Sequence, residues 1–257
     1  MELKELKQIK TDLPYTALLY CPPGVGKSTA IGIIAERSKG KTLVLDVDRT
    51  ITRTLQKGEV VKNIDNVLIT QIDNINTFED WSNTLKEIGE KVQSGEFAKL
   101  GITTIAVDNI SELERCILSD LGQKGKNKGV PAQADYQYMQ FKLVNSLRYM
   151  KSWGLNIVWT AWEQSSDFVM PDGTSYTRLI PKMSMKIVDN ICGLCDIVGK
   201  ITVNKDGDHG ILLEATTNIY AKNQIDSRKG CLVEDFTNFQ KKEVEKKADA
   251  DNKKGDK

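Results

Sequence analysis

The sequence predicts an α/β fold: a mostly parallel, twisted sheet with helices on both faces and β-hairpins towards the C-terminus. Two observations support this prediction. Short apolar runs alternate with segments whose apolar residues recur at helical spacing, which is typical of βαβ units. In the last third of the chain, turn residues instead separate pairs of β-prone runs, which is the pattern of hairpins. With 257 residues, the chain is long enough to form one large domain.

The predicted elements follow from these patterns in chain order. The first strand, 16–20 (TALLY), leads through a Gly/Pro-rich turn into a helix at 28–39. Apolar runs predict further strands at 42–47, 67–70, 103–107 and 156–160. Helical spacing predicts further helices at 78–92, 111–121, 134–153 and 182–192. Turn signals predict hairpins at 168–178 and 196–215.

The last residues differ in composition from the rest. Segment 241–257 has Val244 as its only large apolar residue, so it cannot bury enough surface to order itself. We therefore expect one domain at 1–240 and a disordered charged tail at 241–257.

Charge and cysteine content exclude several classes of protein. Lys+Arg 36 against Asp+Glu 35 gives a net charge of +1, which excludes a polycation and an acidic disordered chain. The N-terminus has no signal-peptide pattern and no segment is apolar enough to span a membrane, so we expect a cytoplasmic protein without a membrane partner. The pair Cys192 and Cys195 lacks a second pair for zinc, so we expect buried thiols. The single histidine, His209, is expected in an exposed turn.

The strongest motif is CPPGVGKS at 21–28, between the first strand and the first helix. It matches the phosphate-binding pattern G-x-x-x-x-G-K-[ST] except at Cys21, where glycine is usual. Backbone N–H groups and the positive end of the helix would bind phosphate oxygens, and the lysine would add a charge. The predicted phosphate-binding residues are Pro23, Gly24, Val25, Gly26, Lys27, Ser28 and Thr29.

A carboxylate at the end of another strand completes the expected metal site. Asp108 ends the apolar run TTIAV, where a carboxylate can help a Ser28 hydroxyl to hold Mg²⁺. Asn109 follows, where many P-loop ATPases place a glutamate that activates water. The catalytic base must then lie elsewhere, or hydrolysis is poor.

These motifs resemble those of RecA-like P-loop ATPases, and more closely those of phage single-strand-annealing recombinases that consist of a RecA-like core. The resemblance rests on CPPGVGKST, LVLDVD, TIAVDNISELE, NIVWTAWEQ and YAKNQIDSR. It implies ATP and Mg²⁺ as ligands and Lys27 and Asp108 as catalytic residues.

The resemblance also implies the remaining roles in hydrolysis. Asp48 stands where such ATPases carry the general base; the alternatives are Glu112, Glu114 and Glu163, or a pair of turn-forming aspartates at 46 and 48. Residues Thr160, Glu163 and Gln164, just past a strand, would sense the γ-phosphate, and Trp162 is either near this site or a packing residue. Lys222 and Arg228 resemble a basic pair that acts on a neighbouring subunit's nucleotide, or they form a solvated basic loop.

A lysine-rich loop suggests contact with nucleic acid. Lys124, Lys126 and Lys128 lie in a stretch without acidic residues, and Tyr136 and Tyr138 follow closely. Such a loop can neutralise phosphates while the tyrosines stack on bases, or it can simply be a solvated loop.

Three functions are compatible with the sequence. The resemblance favours a DNA-stimulated ATPase that binds single-stranded DNA, forms a homo-oligomeric filament or ring, and promotes annealing or strand exchange in phage-type recombination. A single-strand-binding protein would be a further partner. The alternatives are a DNA-binding assembly protein with little hydrolysis and a P-loop phosphotransferase acting on a small acceptor.

Overall fold

A computed structural model describes residues 13–57 and 64–239 of the chain. The predicted tail at 241–257 lies outside the described residues. The strands are β1 (Thr16–Cys21), β2 (Lys41–Asp46), β3 (Val67–Gln71), β4 (Ile102–Asp108), β5 (Asn156–Val169), β6 (Ser175–Pro181), β7 (Ile197–Val203), β8 (His209–Leu212), β9 (Lys222–Asn223) and β10 (Gly230–Leu232). The helices are α1 (Lys27–Arg37), α2 (Ile51–Lys57), α3 (Thr77–Gln93), α4 (Glu96–Leu100), α5 (Ile110–Lys124), α6 (Gln133–Lys151) and α7 (Met185–Leu194).

The strands form one mixed sheet whose centre is parallel. Its order is β10-β8-β7-β1-β5-β4-β2-β3, and the strands from β7 to β3 run parallel to their neighbours. Antiparallel pairing adds β8 and β10 at one edge, β9 beside β7, and β6 beside the second half of β5. The prediction of an α/β fold with a mostly parallel sheet and late hairpins is confirmed.

Helices cover both faces of this sheet because alternate strand residues point to opposite sides. Leu18 and Tyr20 of β1 pack in one core with residues of α3, α5, α6 and α7. Ala17 and Leu19 pack in a second core with residues of α1 and α2 and with Phe236. None of the helices in the described part of the chain is both long and apolar enough to cross a membrane.

The carboxyl ends of the parallel strands meet at one edge of the sheet, where α/β proteins bind ligands. Strand β5 lies between β1 and β4, so the turn after β1 and the end of β4 flank it. This edge therefore brings together the segments that follow β1, β2 and β4, which are far apart in sequence.

The main departure from the predicted elements is the length of β5. The strand was expected to end at residue 160, but it continues to Val169 because its second half pairs with β6 from Glu163↔Pro181 to Val169↔Ser175. Glu163 and Gln164 therefore lie within a strand and not just past its end. The helices α2 and α4 were not predicted; both are short, with 7 and 5 residues.

Candidate functional site

The phosphate loop spans the turn between β1 and α1. Gly24 and Gly26 have φ of 81° and 110°, values that favour glycine. Cys21 is the last residue of β1 and is fully buried, paired with Trp162 of β5. A residue in an extended strand does not need glycine's freedom, so the departure from the motif at Cys21 leaves the turn intact.

Asp108 is held between two hydroxyl groups at the end of β4. Ser28 Oγ donates a hydrogen bond of 2.6 Å to Oδ2, and Thr160 Oγ1 donates one of 2.7 Å to Oδ1. Asp108 and Thr160 are buried, and Ser28 belongs to the first turn of α1. A carboxylate and a hydroxyl at this separation form the oxygen-rich donor set that Mg²⁺ prefers. Ser28 and Asp108 therefore fit the metal-binding role predicted for them.

Asp48 lies beside this pair, two residues after β2. Asn109 Nδ2 donates a 2.7 Å hydrogen bond to its Oδ2, while Asn109 Oδ1 accepts from the backbone N–H of Glu112. The other oxygen of Asp48, Oδ1, is buried and has no hydrogen-bond partner among the described residues. Asn109, which replaces the expected glutamate, thus orients one carboxylate oxygen of Asp48 and leaves the other free to accept.

The surroundings of Asp48 raise its pKa to near neutrality. Burial, together with the nearby carboxylates of Asp108 and Glu112, raises its pKa from 3.8 to about 7, although Lys27 acts in the opposite direction. Burial and Asp108 also raise the pKa of Asp46, the last residue of β2. A carboxylate that titrates near neutrality is suited to general-base chemistry.

Ser28 and Asp48 line one open cleft of about 370 Å³. Its wall is formed by Pro23, Gly24, Gly26, Lys27, Ser28, Thr29, Asp48, Thr50, Thr54 and Trp162. Lys27 begins α1 and is buried, yet within residues 13–57 and 64–239 its ammonium makes no hydrogen bond or ion pair. A buried cation without a partner, beside two positive-φ glycines at a helix N-terminus, is the environment of an anion-binding site.

A family comparison bears directly on this cleft. The model of an AAA domain family, AAA_24, matches residues 13–225, which is most of the chain. The chain belongs to this AAA domain family. The predicted resemblance to P-loop ATPases is thereby confirmed for the domain as a whole, and the AAA domain is of the nucleotide-binding P-loop type.

Comparison with solved structures gives a more distant similarity. An ATP synthase subunit, NeqB from Nanoarcheaum equitans, matches with a TM-score of 0.47 and 11% identity over 76% of this chain. The chain spans 46%, or about half, of that subunit's length. No curated protein matches the chain.

Two of the alternative bases, Glu114 and Glu163, make contacts that hold the fold together. Glu114 accepts hydrogen bonds of 3.0 and 2.9 Å from the backbone N–H of Ser184, just before α7. Glu163 forms a partly buried ion pair with Lys200 of β7. Glu112 stays close to Asp48 and contributes to its raised pKa. Asp48 and Glu112 are therefore the two candidate bases that remain near the phosphate loop.

The basic pair predicted to act on a neighbouring subunit is engaged within its own chain. Lys222 Nζ donates to the carbonyls of Cys192, Gly193 and Cys195, at the C-terminal end of α7. The Arg228 side chain is 9% exposed and pairs with Asp226 at 2.7 Å. These contacts argue against the predicted role of Lys222 and Arg228 in trans.

The lysine-rich loop lies apart from the phosphate loop. Lys124 ends α5, about 22 Å along the helix from Asn109 at roughly 1.5 Å per residue. Its ammonium pairs with buried Asp120 at 2.8 Å, whereas Lys126 and Lys128 are exposed. Only the latter two lysines of the predicted DNA-binding set present freely exposed charge.

Several residues of the AAA domain cleft could not be assigned from the sequence. Thr50 and Thr54 line it because α2, which was not predicted, follows Asp48 directly. Trp162 also lines it, although it could equally have been a packing residue. His209 was expected in an exposed turn, but it begins β8 and its ring packs against Gly26. No sequence signal linked His209 to the phosphate loop, since 183 positions separate them.

Proposed function

We propose that this AAA domain is a Mg²⁺-dependent ATPase that binds single-stranded DNA, which stimulates its turnover, and that assembles as a homo-oligomer to promote annealing or strand exchange in phage-type recombination. The observation that supports hydrolysis best is that Lys27, Ser28 and Asp48 line one cleft, with the buried Asp108 hydrogen-bonded to Ser28. The DNA and recombination parts rest on the family resemblance and on the exposed lysines.

Binding of the triphosphate falls to the phosphate loop and Lys27. The backbone N–H groups around Gly24 and Gly26 and the N-terminus of α1 offer donors to phosphate oxygens. The Lys27 ammonium, which lacks a partner among the described residues, supplies the positive charge. ATP is the expected nucleotide by resemblance.

Ser28 and Asp108 would hold Mg²⁺, which would neutralise negative charge on the phosphate oxygens. Thr160 fixes the orientation of the Asp108 carboxylate through its 2.7 Å hydrogen bond. The end of β4, the N-terminal turn of α1 and the interior of β5 therefore set the position of one carboxylate.

Asp48 would accept the proton of the attacking water. Asn109 holds Oδ2, so the buried Oδ1 is the oxygen available to the water. The carboxylate is shorter than the glutamate of related ATPases, but its pKa of about 7 places it in the range where a general base works best.

Support for DNA binding comes from the segment between α5 and α6. Lys126 and Lys128 are exposed there, and Tyr136 and Tyr138 near the start of α6 are 44% and 62% exposed. Exposed lysines and aromatic rings together suit a single strand, because the charges meet phosphates while the rings stack on bases.

ATP turnover measured with and without single-stranded DNA tests this proposal. Stimulation by DNA is expected in the wild type and should be largely lost in the Lys126→Ala, Lys128→Ala double variant. The matched control removes two exposed lysines elsewhere, Lys99→Ala and Lys205→Ala. The salt dependence of DNA binding should become shallower by about 1–2 in log–log slope for the first variant only.

The other outcomes separate the alternative functions. ATP binding without turnover in either condition would indicate an assembly protein that uses ATP as a ligand. Turnover that is indifferent to DNA and appears only with a small hydroxyl acceptor would indicate a phosphotransferase. Equal stimulation of the lysine variant and its control would refute the assignment of the DNA contact.

A further inference from the structure

The only histidine of the chain, His209, lies next to the phosphate loop. Strand β7 pairs with β1 through Tyr20↔Lys200 and continues for three residues to Val203. At about 3.3 Å per residue, the turn after β7 projects roughly 10 Å beyond this pair, on the side where β1 enters the phosphate loop. The antiparallel return strand places His209 opposite Val203.

The imidazole occupies the space where Gly26 would carry a side chain. A Cβ built on Gly26 would lie 2.7 Å from Nδ1 of His209 and 3.4 Å from its Nε2. Gly26 is therefore constrained twice, by its φ of 110° and by the ring against it. The ring touches the loop at the residue immediately before Lys27.

One ring nitrogen of His209 has no protein partner among the described residues. Nδ1 of His209 is buried and makes no hydrogen bond to the described residues. Buried polar atoms are nearly always hydrogen-bonded in folded proteins, so an exception next to a ligand site indicates a partner that arrives with the ligand.

The turn that precedes His209 is ordered by its own hydrogen bonds. Asn204 Oδ1 accepts from the backbone N–H groups of Asp206 and Asp208 at 2.9 and 2.8 Å, and Asn204 Nδ2 donates to the Asp208 carboxylate. Gly207 supplies the positive φ of 90° that the turn needs. These contacts fix the start of β8 and hence the position of the imidazole.

We propose that His209 is a nucleotide-binding residue whose imidazole donates a hydrogen bond to a phosphate oxygen held in the loop, beside Lys27. This assignment rests on the proposed binding of a nucleotide to the cleft and adds a contact from the β7–β8 hairpin. The phosphates, not the base, are the part of the ligand that it recognises, because the ring contacts the glycine of the phosphate loop.

Competition binding with inorganic tripolyphosphate tests the proposal. Tripolyphosphate and, separately, adenosine would displace a fluorescent ATP analogue from the wild type and from the His209→Ala and His209→Gln variants, with Mg²⁺ present. His209→Ala should weaken tripolyphosphate binding about tenfold and leave adenosine binding unchanged. His209→Gln, which keeps a side-chain donor, should stay within about threefold of the wild type.

The control is Lys205→Ala, which alters an exposed residue of the same turn and should bind like the wild type. Unchanged tripolyphosphate affinity in His209→Ala would overturn the proposal. Equal losses in the alanine and glutamine variants, with a lower melting temperature in both, would also overturn it by showing a structural role alone. If the wild type and Lys205→Ala both fail to bind the analogue, nucleotide binding itself is refuted, and this inference with it.

Discussion

Lys27 is a buried cation and the Arg228 side chain is only 9% exposed, but their surroundings differ. Arg228 pairs with Asp226 at 2.7 Å and also donates to the carbonyls of Asp235 and Phe236. Lys27 lies beside a phosphate loop and has no hydrogen bond or ion pair among the described residues. Since an unpaired buried charge is costly, Lys27 is suited to attract an anionic ligand, whereas Arg228 is already compensated by the fold.

The comparison extends to the carboxylates near each cation. Asp226 serves Arg228 directly and also accepts from Asn223. Asp48 is held by Asn109 at one oxygen only, and burial raises its pKa to about 7. The Arg228 region thus satisfies its own charges and holds the segment at 235–236, while the Lys27 region leaves charge available for a ligand.

The largest expected effect concerns the carboxylate of Asp48. Asp48→Asn should lower the ATP turnover number about a thousandfold, because the general base is lost. The affinity for ATP should change less than about threefold, since Asp48 does not hold the phosphates. Steady-state kinetics and equilibrium binding measure the two quantities. Asp48→Glu is the matched control and should retain part of the turnover. An unaltered turnover number in Asp48→Asn would show that Asp48 is not the base and would leave Glu112 as the candidate.

The next effect concerns Arg228, whose charge is paired within the chain. Arg228→Ala should lower the free energy of unfolding by about 3 kcal/mol, because the ion pair with buried Asp226 and the donations of Arg228 to the carbonyls of Asp235 and Phe236 would be lost. Arg37→Ala is the control: its ion pair with Glu234 joins exposed side chains, at 53% and 60%, and should contribute less than about 1 kcal/mol. Urea denaturation compares the two. Equal effects would show that burial does not distinguish these arginines.

A smaller effect follows from the raised pKa of Asp48. The folded state without ligands holds this proton up to a pH of about 7, whereas the unfolded chain releases it near 3.8. Asp48 therefore contributes stability at low pH that is lost as pH rises through about 7. Asp48→Asn should melt a few degrees higher than the wild type at pH 8 and show a smaller difference at pH 5. The same difference at both values would show that the carboxyl titrates normally.

The sequence predicted the sheet and the phosphate loop because both depend on local patterns. Apolar runs and the spacing of Gly26, Lys27 and Ser28 are properties of neighbouring residues, and the structure keeps them where they were expected. The apolar run that ended the predicted strand at residue 160 did not reveal the β5–β6 pairing, which depends on a partner in space.

The parts of the site that were missed depend on long-range packing. His209 reaches Gly26 only because β7 pairs with β1 and turns back beyond it. Arg228 resembled a catalytic cation because sequence shows its charge but not its partners. Asp108 lies beside the phosphate loop through Ser28, yet its contact with Thr160 required the position of β5 between β1 and β4.

Equilibrium titration of ATP with Mg²⁺ into three proteins, the wild type, Lys27→Ala and Arg228→Ala, tests the central claim most directly. The claim is that the uncompensated charge of Lys27 serves a bound triphosphate. We expect saturable binding to the wild type, a loss of about a hundredfold or more in affinity for Lys27→Ala, and wild-type affinity for Arg228→Ala at temperatures where it is folded. Equal affinity of the wild type and Lys27→Ala for ATP would contradict the claim.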